Sequence, residues 1–184
     1  HFDFSIDDFN CDYYGSSLHK WLATPLGAGL LYVNKNKTHR IWPLLANGNT
    51  NKSDIKRLNH IGTHPVHTDL AISNAIDYLK WIGMERKEKR MRFLQRYWSD
   101  KLRNVNNVIV NTPIDIDRSC GIGNVGLRNM SPSKMEDLLF EKYKIFTVAI
   151  DYANVKGCRI SPNIFTTTKE LDSFVDAVKE LSLV

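Results

Sequence analysis

Apolar residues between His67 and Ile82 fall at helical spacing: Ala71, Ile72, Ala75, Ile76, Leu79 and Ile82. Gly83 supplies a C-terminal stop. The stripe is wide, which predicts a well-buried helix. A second helix is expected over 84–104, where Met91, Leu94, Trp98, Leu102 and Val105 form a narrower stripe. The run "ERKEKRMR" at 85–92 mixes signs and reads as the solvated face of that helix. The change in stripe width places a domain border near residue 84, giving units 1–84 and 85–184.

Outside these helices the period shortens. "NCDYYGSS" at 10–17 reads as a short strand entering a turn, "PLGAG" at 25–29 as turn chemistry, and "GLLYV" at 29–33 as a buried strand. Residues 34–65 are polar and show no clear period. A loop of that length within a compact domain usually carries function. Further on, strands are expected at 107–111, 124–129, 145–150 and 157–162. Ser131 followed by Pro132 opens a helix lined by Met135, Leu138, Leu139 and Tyr143. Thr167 and Glu170 have capping-box spacing before a last helix carrying Leu171, Phe174, Val178 and Leu181 on one face. This second half reads as a small α+β unit, with helices on one side of a mostly antiparallel sheet.

Composition narrows the function classes. A chain of 184 residues with 42% hydrophobic and 24% charged residues can build a packed core. No apolar run approaches the ~20 residues of a membrane helix. The net charge of +5 is dispersed, so neither nucleic acid nor membrane is expected as a partner. The three cysteines, Cys11, Cys120 and Cys158, form no close pair, and a reducing compartment is expected. "GIGNVG" at 121–126 matches a dinucleotide fingerprint, but the following "LRNM" looks extended. The glycines are better explained by a strand end or bulge. His60, His64, His67 and Asp69 are interrupted by Gly62 and Pro65, so no metal site is expected. Strand alternation sets Cys158 and Ile160 on one face and Arg159 and Ser161 on the other, which makes Cys158 a core residue.

The chemistry-bearing groups are Ser17, His19, Lys20, Thr63 and Arg159. Lys20 sits among hydroxyl and imidazole groups, between an apolar segment and a Pro-Gly turn. It is either a solvated turn lysine or a nucleophilic amine beside something anionic. A Schiff-base lysine must lose its proton to attack an aldehyde, and desolvation or a nearby cation lowers its pKa. A phosphorylated cofactor also needs hydroxyl, imidazole and backbone N–H donors. "S-x-H-K" sets such donors within three residues of the amine.

The longer string "CDYYGSSLHKWLATPLGAGLLYV" resembles the lysine segment of the class V aminotransferases, pyridoxal-phosphate enzymes of fold type I. Isopenicillin N epimerase-like proteins and cysteine desulfurases belong to the same group. "IGTHP" resembles the family's Gly-Thr segment, and "GCRISPNIFTTTKELDSFV" its Arg-x-Ser segment. The resemblance spans nearly the whole chain. It implies an α/β fold: the C-terminal part of the fold type I large domain over 1–84, then a small α+β domain over 85–184. It implies pyridoxal 5′-phosphate as cofactor and a small amino-acid substrate. Lys20 would hold the cofactor covalently and shuttle the proton. Ser17 and His19 would bind its phosphate. Thr63 would reach the phosphate in the neighbouring subunit of a homodimer, and Arg159 would grip the substrate's α-carboxylate. Cytoplasmic location goes with this reading.

The match also departs from the pattern. Family members are about twice this long, and the phosphate-binding turn, ring-stacking residue and acid facing the pyridine nitrogen have no counterpart here. An incomplete site is therefore expected for this polypeptide alone. Desulfurases carry a nucleophilic cysteine on a loop before the arginine. Residues 147–157 contain none, and Cys120 lies too far upstream to substitute well. Transamination is the first expectation, epimerisation or lyase chemistry the second, and a non-catalytic dimerisation or binding module the third.

Overall fold

The computed structural model describes residues 1–45, 48–59 and 62–184. Its chain divides into two units, Phe4–Gly83 and His1–Asp3 with Met84–Val184.

In the first unit, β1 (Tyr13–Ser17) and β2 (Gly29–Val33) form an antiparallel ribbon, with Tyr13 opposite Val33 and Ser17 opposite Gly29. The polar stretch that follows is organised as two 3₁₀ turns, Lys35–Arg40 and Ile55–Leu58, capped by the side chains of Asn34 and Asp54. Their shared anchor is Arg57, 6% exposed, whose guanidinium donates to the Thr38 carbonyl at 2.7 Å and to the Ile41 carbonyl. A buried arginine serving two carbonyls satisfies polar groups that a non-repeating backbone leaves open. Helix α1 (Val66–Ile82) closes the unit.

Two expectations of burial fail here. Strand β2 forms, but Leu30 and Leu31 are exposed. Helix α1 forms, yet Thr68 and Ala75 are its buried residues, while Leu70 and Trp81 are 68% and 81% exposed. Period alone reports a secondary structure. Burial needs a second surface, and a two-stranded ribbon offers little of one.

The second unit contains α2 (Met84–Leu102), β3 (Val108–Val110), β4 (Gly123–Leu127), α3 (Pro132–Tyr143), β5 (Val148–Tyr152), β6 (Val155–Ile160) and α4 (Thr168–Leu181). Its sheet runs β3-β4-β6-β5 and every pairing is antiparallel. Met91, Leu94, Trp98 and Leu102 of α2 are fully buried, as are Met135 and Leu139 of α3 and Val125 and Cys158 of the sheet. Trp98 packs edge-on against Phe174 at 5.6 Å. The expected caps are present: Ser131 accepts from the Lys134 N–H, and Thr167 and Glu170 form the reciprocal capping box. Strands β5 and β6 lie a few residues from their expected limits. Ala153 and Asn154 both take positive φ and make a two-residue hairpin turn without the usual Asn-Gly signal.

The glycines of 121–126 serve close packing. A Cβ on Gly123 would lie 2.5 Å from Trp98 Cζ2, and one on Gly126 would lie 2.3 Å from the Lys156 carbonyl. The segment enters an antiparallel strand, and no helix opens at its third glycine. Among the described residues, no helix is long and apolar enough to cross a membrane.

Candidate functional site

The ribbon β1–β2 holds the lysine segment. Beyond β1 the chain turns through 18–28, and the loop is closed by Leu18 N–H donating to the Ala28 carbonyl at 3.1 Å and Thr24 N–H to the Leu18 carbonyl at 3.4 Å. Thr24 and Ala28 are its buried residues. Ala23 (φ 62°) and Gly27 (φ 95°) take left-handed backbone, which lets the chain reverse over so few residues. Ser17 ends β1 with its side chain exposed, His19 is half-buried, and Lys20 lies on the turn, exposed.

Of the two readings of Lys20, its exposure is that of a solvated turn lysine. Its amine faces solvent, because the loop lies on a ribbon too narrow to wrap it. The side chains of Ser17, His19 and Lys20 make no hydrogen bond or ion pair with any described residue. A hydroxyl, an imidazole and an amine thus stand uncommitted within four consecutive residues, a donor set suited to a phosphorylated ligand.

Thr63 is exposed, three residues before α1. Next to it, His64 pairs with Asp69 at 3.4 Å and its Nδ1 lies 3.0 Å from the Gly62 carbonyl. His60 and Ile61, part of the metal candidate and of the Gly-Thr segment, lie outside the described residues.

In the other unit, Arg159 stands one residue before the C-terminal end of β6, opposite Asn124 of β4 and Val148 of β5. It is exposed while Cys158 and Ile160 are buried, so the alternation runs as read from the sequence. Arg159 lines an open concavity of about 410 Å³ together with Thr112, Arg118, Asn124, Ile150 and Tyr152. Arg118 was missed by sequence reading. A single arginine after two aspartates carries no signal until the fold sets it beside β6.

Two of the three cysteines are buried. Cys120 is 7% exposed and Cys158 fully buried, and burial pushes both thiols above their usual range. Cys11 is half-buried.

Comparison with known proteins gives a consistent set of relatives. The family described as "Aminotransferase class-V" matches residues 1–174. Isopenicillin N epimerase of Amycolatopsis lactamdurans is 26% identical over 98% of the chain and 49% of its own length. The apo cysteine desulfurase of Thermococcus onnurineus NA1 shares the fold, with a TM-score of 0.83 at 17% identity over 100% of this chain and 50% of that one. A C-DES variant with glycine covalently linked to its PLP cofactor has a TM-score of 0.79 at 16% identity, over 97% of this chain and 48% of that one. The chain thus spans about half the length of the relatives it matches.

Proposed function

Because the chain belongs to the aminotransferase class-V family, we propose that it carries the lysine and the carboxylate-binding arginine of a pyridoxal-phosphate enzyme that transaminates an amino acid. Pyridoxal 5′-phosphate is the cofactor of this family, and when bound it supplies an electron sink for charge developing beside the substrate nitrogen. The observation that carries the reading is the uncommitted trio Ser17, His19 and Lys20 on a loop pinned at both ends.

Each residue has a role of its own. The Ser17 hydroxyl and the His19 imidazole donate to phosphate oxygens. Lys20 would hold the cofactor through its Nζ and, once released from it, would move the proton at the substrate's α-carbon. Arg159 holds the α-carboxylate through its planar fork. Thr63 contributes to the phosphate site of a second subunit in a homodimer.

Epimerisation uses the same residues and differs in where the proton returns. The epimerase relative favours it as the second reading. Desulfuration is disfavoured, since residues 147–157 carry no cysteine and Cys120 is buried, which pushes its thiol pKa up.

Borohydride trapping tests the assignment. The chain is incubated with excess pyridoxal phosphate, its visible spectrum recorded, then reduced and peptide-mapped. Label concentrated on Lys20 over the other lysines, with the cofactor band lost in Lys20→Ala, is expected. Ser17→Ala and His19→Ala should each weaken cofactor affinity about fivefold or more, the loss of a charge-assisted hydrogen bond. Label spread evenly over surface lysines would overturn the enzyme reading and favour a non-catalytic module.

A further inference from the structure

We propose that Arg118 is a second anion-recognition residue in the concavity that holds Arg159, so that this site takes an amino acid whose side chain ends in an acidic group. The inference rests on the reading of Arg159 as the carboxylate-binding residue.

Both arginines line the same concavity, both are exposed, and neither has an ion-pair or hydrogen-bonded side-chain partner among the described residues. Some other cations of this unit do find partners. Arg92 is paired with Glu88 at 2.8 Å, Arg103 with Asp100 at 3.3 Å, and Lys101 with Asp172 at 2.5 Å. The acids nearest Arg118 in sequence do not neutralise it. Asp115 instead accepts the Asp117 N–H at 2.9 Å.

The turn bearing Arg118 is fixed rather than loose. Residues Ile116–Arg118 form one 3₁₀ turn with Asp115 as its cap. The Arg92 guanidinium, reaching from α2, donates to the Ile116 and Ser119 carbonyls on either side of Arg118. The backbone that aims Arg118 is therefore tied to the core helix.

The floor of the concavity has no unmet polar need. Asn124 N–H donates to Thr112 Oγ1 at 2.7 Å, and Asn111 Nδ2 donates to Asn124 Oδ1 at 2.7 Å. Ile122, Ile150 and Tyr152 add apolar wall. Two unneutralised guanidiniums over an apolar wall match a ligand with two anionic ends and a hydrocarbon spacer. One end is the α-carboxylate on Arg159, and the other is the side-chain acid on Arg118. Two cations facing one small space repel, and a bridging dianion removes that cost.

Calorimetric titration of the full chain with glutarate and with butyrate tests this, without requiring catalysis. Glutarate is expected to bind about five- to tenfold tighter than butyrate, the worth of one added charge-assisted contact in a partly exposed site. Arg118→Ala should abolish that preference by weakening glutarate far more than butyrate. Arg118→Lys should restore part of it. Arg86→Ala, an exposed change of equal charge on α2, should keep it. Arg159→Ala should weaken both ligands. Equal affinity for the two acids, a preference surviving Arg118→Ala, or no binding of either acid would overturn the role of Arg118. Carboxylate binding that persists undiminished in Arg159→Ala would instead overturn the underlying reading of Arg159. Circular dichroism of each variant establishes that it is folded.

Discussion

Gly123 illustrates how tightly single positions are constrained. An added methyl would stand 2.5 Å from the fully buried Trp98 ring and 2.9 Å from Thr112 Oγ1. Gly123→Ala should therefore destabilise the Met84–Val184 unit by about 1–3 kcal/mol, the usual cost of overpacking. Urea unfolding followed by Trp98 fluorescence measures it, and an unchanged midpoint would contradict the packing described. At the same scale the sequence was readable where chemistry is local. Arg159 and Cys158 alternate across β6 as expected, while the partner Arg118 became visible only when the fold brought its turn beside that strand. Lys20 shows the reverse. Its neighbours in sequence leave a solvated lysine and a nucleophilic amine both open, and the structure leaves it exposed.

Helix ends are the elements that the sequence described best. The Thr167–Glu170 box is reciprocal, with Thr167 N–H donating to Glu170 Oε2 at 2.7 Å and Glu170 N–H to Thr167 Oγ1 at 3.2 Å. Replacing Thr167 with Ala should cost about 1 kcal/mol. The backbone N–H and hydroxyl of Thr167 hold the Glu170 carboxyl below its ordinary 4.5. A carboxyl depressed in the folded state stabilises above its unfolded value, and that contribution disappears as pH falls through the folded one. The melting-temperature gap between wild type and Glu170→Gln should thus be open at neutral pH and close on acidification below about 4.5. A gap that widens in acid would contradict this sign. Strand limits were less legible. The Ala153–Asn154 turn imposes left-handed backbone on Ala153, a residue whose type does not announce it.

Across the whole molecule the two units differ in how much they bury. Leu94, Trp98, Met135 and Val178 anchor a continuous core in the Met84–Val184 unit, whereas Phe4–Gly83 leaves Leu31, Leu44, Leu70 and Trp81 exposed. Backbone amides protected by a core open only with global unfolding, and those without one open locally. Hydrogen exchange should therefore find the slow amides in α2, α3, α4 and the four-stranded sheet, with β1, β2 and α1 exchanging much faster. Equal protection in both units would contradict the burial contrast. The sequence by itself determined the elements, their caps and the class of relatives, because period, capping and short motifs act over a few neighbouring residues. Only the tertiary structure decided which apolar faces find a covering surface, that Lys20 stands open, and that Arg118 shares a wall with Arg159. Those depend on contacts between segments far apart in the chain, which no local pattern encodes.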